Sequence, residues 1–144
     1  MVKDMKKDEI KEALLEKANL IVSIATADTK INEFDFFNEA YSIYEAFKRE
    51  FGRERVFNFG KYPGIDGFYD FEVWGLTLED VDKAIELSQS LSNNHVTIEV
   101  ELVLDGKMVR RIASELGKTP DKLLKMFKYK KIKDEGNIYI LHLN

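Results

Sequence analysis

From Asp8 to Ala27 the apolar residues Ile10, Leu14, Ala18, Ile21 and Ala25 recur at helical spacing, with Leu15, Val22 and Ile24 widening the stripe. The pattern predicts one helix, solvated in its first two turns and buried nearly all round after that. Residues 26–31 read as a turn, and Asn32 can cap a second helix over 33–51. That helix carries Phe34, Phe37, Tyr41, Tyr44, Phe47 and Phe51 at helical spacing, a stripe suited to a core or a subunit contact. Together the two make an N-terminal helical hairpin over 1–52.

Residues 53–76 change character. Glycines punctuate a run of rings, and 56–59 and 68–74 read as strands around the loop GKYPGIDG, a connecting region with the form of a β-hairpin. Thr77 opens the next helix, with Asp80 three residues on as in a capping box, and Leu78, Val81, Ala84, Ile85, Leu87 and Leu91 give it an apolar face. Val96, Ile98, Val100, Leu102 and Leu104 then alternate with polar residues, as in a half-buried strand.

After Asp105-Gly106-Lys107 the helical spacing returns. Val109, Ile112, Ala113 and Leu116 share one face, and Gly117 ends it. Thr119-Pro120-Asp121 opens a further helix through about Lys128, with Leu123, Met126 and Phe127 on its buried side. Strands near 129–133 and 137–143 close the chain as a hairpin, and the second of them can pair with strand 96–104.

With Ala113, Leu116-Gly117, Leu123 and Met126 at the matching positions, this segment resembles the helix-turn-helix superfamily. The trailing hairpin makes it similar to the winged-helix variety. The resemblance implies an α+β chain: an N-terminal helical hairpin, then a winged-helix-like domain over 77–144 with a small antiparallel sheet. It implies double-stranded DNA as partner, with helix 120–128 in the major groove of a transcriptional regulator's target. Thr119, Asp121, Lys122 and Lys125 fall where such proteins touch bases or phosphates. Leu124 departs from the pattern, since an apolar residue there could only meet a thymine methyl or pack inward.

Charge sharpens that expectation. Residues 107–144 hold ten basic residues against four acidic, a net +6, while the first 106 hold the other 12 basic and 22 acidic, a net −10. Arg110, Arg111, Lys118, Lys122, Lys125, Lys128, Lys130, Lys131 and Lys133 would supply the phosphate contacts, Lys130, Lys131 and Lys133 from the wing's first strand. The wing tip, Asp134-Glu135-Gly136-Asn137, is acidic and unsuited to phosphate. The N-terminal helices would dimerise the protein or hold a partner.

The sequence has no cysteine, which removes disulfides and thiol chemistry. It has no apolar run near the ~20 residues of a membrane span and no signal-peptide core, so no membrane partner and a cytoplasmic location are expected. Catalysis finds little support. His95 and His142 are isolated, and no elbow serine or phosphate loop is present. The stretch 27–35 fails as a calcium loop. Asp66, Asp70 and Glu72 lack a partner base for a metal, and no cofactor is expected. Asp105-Gly106-Lys107 with Asp70 raises a metal-dependent nuclease as an alternative, beside a winged-helix module that binds protein in a larger assembly.

Overall fold

Asn19–Thr26, which apolar spacing assigns to the first helix, is instead a central strand of a sheet. The computed structural model describes residues 4–26, 30–61 and 67–144. Helix α1 covers Lys7–Leu15 and strand β1 covers Asn19–Thr26. The correction has a physical reason. A strand covered on both faces carries a near-continuous apolar run, which periodicity cannot tell from a buried helix. Leu20, Val22 and Ile24 are fully buried beneath the helices, and Ile21 and Ala25 are half-buried on the opposite face. With β1 inserted after α1, the helical hairpin expected over 1–52 does not form.

The remaining elements are α2 (Glu33–Phe51), β2 (Val56–Lys61), β3 (Phe68–Val73), α3 (Leu78–Leu91), β4 (Val96–Asp105), α4 (Gly106–Glu115), α5 (Pro120–Leu124), β5 (Lys131–Asp134) and β6 (Ile138–His142). The strands form one six-stranded sheet in the order β2-β3-β1-β4-β6-β5, antiparallel throughout. The chain is therefore α+β. Its first four strands, with α2 and α3, follow the split βαβ succession of ferredoxin-like folds.

The small antiparallel sheet expected for residues 77–144 forms, β5 on β6 and β6 on β4, but as one end of the larger sheet. Strand β4 pairs along 96–103 with β1 and along 101–105 with β6. It is ten residues long because it serves both neighbours. The C-terminal hairpin thus lengthens the sheet begun by β1 and β3. Helices cover one face, where Phe71, Leu102 and Leu141 are fully buried with Phe47 of α2 and Val109 of α4. The other face is open, and one row crosses it from edge to edge: Phe57, Glu72, Ile21, Glu101, His142 and Lys131.

The hairpin tip leans on α4. A Cβ on Gly106 would lie 2.6 Å from the Gly136 carbonyl oxygen, so only glycine admits this approach. The Gly106 amide donates to Asn137 O at 2.9 Å, and Arg110 donates to Gly136 O at 2.6 Å. Asp105 caps α4 by accepting from the Met108 amide at 3.0 Å.

Candidate functional site

The β2 end of the sheet gathers aromatic rings on both of its faces. On the helix side, α2 exposes Phe34, Phe37 and Tyr41, with Phe34 72% accessible. Phe59 of β2 lies against this row, its ring centroid 5.7 Å from Tyr41, 6.0 Å from Phe37 and 4.9 Å from Tyr44. It also stacks on Tyr69 of β3 at 5.3 Å. On the open side Phe57 stacks on Trp74 at 6.5 Å, both about two-fifths exposed.

One residue distributes these rings. Asn58 has φ 64°, a left-handed conformation that asparagine tolerates better than most residues. The pairing of β2 with β3 shifts there, between Phe57 and Gly60. In a regular strand Phe57 and Phe59 would share a face; the extra residue of the bulge sends them to opposite faces. Asn58 is held in place by donating to Glu72 Oε2 at 2.5 Å. Glu72 also accepts from Trp74 Nε1 at 3.1 Å and from Asn19 Nδ2 at 3.3 Å.

Charges around this aromatic collar are largely paired. Lys61 meets Glu33 at 2.6 Å, and Lys48 and Arg53 each approach Glu45 at 3.7 Å. A hydrogen bond with Tyr44, helped by Glu45 and opposed by desolvation, holds the Lys48 ammonium above the ordinary lysine value. Asp70 stands on the open face two residues from Glu72. Burial first, and the Glu72 charge second, push its carboxyl above the ordinary aspartate value.

The residues expected to meet DNA are all exposed, yet they do not converge. Lys118, Lys122 and Lys125 line a groove against α1. Lys131 and Lys133 pair with His142 and Ile140 and so share the open sheet face, away from the helices. Lys128 lines a separate cleft beside Asp8, Glu79 and Asp82, and Lys133 is paired with Glu135 at 3.0 Å. Arg110 is spent on the hairpin carbonyl, and Arg111 and Lys130 are solvated. Thr119 caps α5 by accepting from the Lys122 amide at 3.3 Å, and Asp121 sits in the first turn.

The helix meant for the groove is corrected too. It spans Pro120–Leu124, five residues rather than nine, with Leu123 and Leu124 fully buried. Leu124 packs inward.

A scan against protein-family models finds no match, and neither does a search of curated proteins. Among solved structures, the chain is similar to one described as a candidate C-terminal regulatory domain of aspartate kinase from Porphyromonas gingivalis. The identity is 12%, the likeness covers 89% of this chain and 82% of that one, and the TM-score is 0.33, too low to carry a function across. The DNA-binding regulator is withdrawn because the helix meant for the groove is short and packed inward, and the cations fall on separate surfaces.

The nuclease alternative fails on distance. Asp70 shares its row with Ser23 and Glu99, and Asp105 lies six residues further along β4, roughly 20 Å away at the strand rise. Among the described residues no three acids or histidines group for a metal, and no helix is long and apolar enough to cross a membrane. Asp66 and residues 27–29 lie outside the described residues. Sequence reasoning missed the part played by Phe57, Phe59 and Trp74. The available signal was Asn58 followed by Gly60 inside an apolar strand, a mark of a bulge.

Proposed function

We propose that the chain is a binding module that works as a dimer, two copies meeting through the aromatic collar of α2 and β2. The observation that carries this is the exposure of Phe34, Phe37 and Tyr41 beside Phe59 at a sheet edge. Monomeric proteins rarely leave a contiguous apolar surface open, and exposed rings are favoured at protein contacts. The matched charges around the rings favour a second copy over a strongly charged partner. A two-fold contact sets the same patch against itself, and the pairing of Lys61 with Glu33 and of Lys48 and Arg53 with Glu45 leaves little net charge there to repel. The bulge at Asn58 disfavours joining edge to edge, so the rings rather than the backbone of β2 make the contact.

From α3 onward the chain keeps the element order of a winged helix. We read that part as a scaffold of this kind, with its hairpin merged into the main sheet. A cytoplasmic location belongs to the same reading.

Sedimentation tests it. At tens of micromolar the protein should run at twice its 16.7 kDa chain mass, and the Phe37→Asp/Tyr41→Lys variant at 16.7 kDa with its circular dichroism retained. A native protein sedimenting as a single chain would dispose of the dimer; a variant that stays dimeric would move the contact off the collar.

A further inference from the structure

The groove between α1 and the α4–α5 turn has a one-sided chemistry. Lys7, Lys118, Lys122 and Lys125 line its walls, no acidic residue does so, and its volume is about 520 Å³. None of the four lysines makes an ion pair among the described residues. Between the lysines, Ile10, Leu116, Leu123 and Met126 form an apolar floor. Leu123 is 1% exposed and Met126 half-buried, so the floor is fixed by the core beneath it. The neighbouring cleft, which shares Lys7 and Met126 with the groove, differs in carrying the acids Asp8, Glu79 and Asp82.

We infer that this groove docks an acidic amphipathic segment of a partner protein, with carboxylates on the lysine walls and apolar side chains on the floor. Unpaired cations lining one groove repel one another, and an anionic ligand relieves that repulsion as it binds. The floor decides the class of ligand. A chain of phosphates or a run of glutamates offers nothing to the half-buried Leu116 and Met126, whereas an amphipathic helix presents apolar side chains and carboxylates together. Concavity argues against a membrane, because a flat bilayer cannot follow the surface down to Leu123. The inference stands apart from the dimer, as the groove shares no residue with the collar.

Fluorescence anisotropy tests it, with the full chain titrated into a labelled twelve-residue peptide of alternating leucine and glutamate pairs. Binding should weaken with salt and fall about tenfold or more in Lys122→Glu/Lys125→Glu. It should fall in Met126→Gln as well. Lys131→Glu/Lys133→Glu carries the same charge change on the open sheet face and should leave the affinity within about twofold. Should the Lys122/Lys125 glutamate pair fail to fold, Lys122→Gln/Lys125→Gln reads the same loss. Equal losses in the two double variants, or polyglutamate binding as well as the peptide, would overturn the groove as a specific site. Tighter binding to phosphatidylserine vesicles than to the peptide would overturn the choice of a protein ligand.

Discussion

The two ends of the sheet present opposite chemistry to solvent. At the β2 end, rings lie on both faces and the charges beside them are paired within the molecule. At the β5 end, Lys131 and Lys133 stand exposed on a strand of four residues. An edge strand is a template for unwanted pairing, and short length and lysine are two ways to blunt it. The β5 edge uses both. The β2 edge relies on a bulge alone and keeps apolar surface beside it. That difference separates an edge kept away from other chains from a surface suited to meeting one, and the collar is read as a contact for this reason.

Deleting the ring at the centre of the collar gives the largest effect expected. Phe59→Ala removes the side chain that touches Phe37, Tyr41, Tyr44 and Tyr69 together. Phe59 is half-buried, so the loss should be about 2–3 kcal/mol, below the usual 3–5 for a fully buried phenylalanine. The matching change at the other end, Lys131→Ala/Lys133→Ala, should stay within about 0.5 kcal/mol. Urea denaturation of both variants checks the pair. Similar losses at the two ends would erase the distinction between them.

Much of this was legible in the sequence, and what was not had physical causes. Helix α3 and strand β4 followed from their spacing because each has one covered and one solvated face; α2 was legible as a helix, but its covered face is Phe36, Ala40, Ile43, Tyr44, Phe47 and Phe51, with Phe34, Phe37 and Tyr41 of the aromatic stripe left outside. Strand β1 did not, because burial on both faces erases the period that would mark it. The end of α5 was overrun since Met126 and Phe127 keep packing inward after the helix has stopped at Leu124. The number of lysines along 107–144 is visible in the sequence. Which face each occupies depends on strand register, and that is not. The rings of 52–76 were counted without their placement, which one left-handed asparagine decides.

That asparagine supplies a subtler way to break the collar. At φ 64° a β-branched side chain is strained, so Asn58→Val should cost on the order of 1–3 kcal/mol or force the strand back to regular pairing. Asn58→Gly relieves the strain but loses the bond to Glu72, and should fall between wild type and the valine variant. The informative measurement is tryptophan fluorescence. Trp74 stacks on Phe57 only while Phe57 stays on the open face, so a register change alters its emission, whereas strain without a register change lowers the melting temperature alone. Valine at this position with native stability and emission would mean the bulge is not what divides the rings.

The smallest effect concerns the acid beside the collar, where stability should depend on pH in a definite direction. Asp70 has its carboxyl raised by burial and then by Glu72, so the folded protein disfavours its ionised form. Below the unfolded value of ~3.9 the group is protonated in both states and contributes nothing. As pH rises past that value the unfolded chain ionises first, and stability is lost through the window up to the raised folded value. The full penalty is present at neutral pH. Asp70→Asn removes it, so the variant should melt higher by roughly one or two degrees at pH 7 and equal the parent at pH 3. Salt should shrink the part of the gain that comes from Glu72 and leave the part that comes from burial. At the opposite end Lys133 is raised by its bond to Glu135, a favourable pairing, so Lys133→Gln should bring no such gain. A variant melting point that tracks the parent at every pH would mean the carboxylate is better solvated than its place on the sheet beside Ser23 and Gly60 implies.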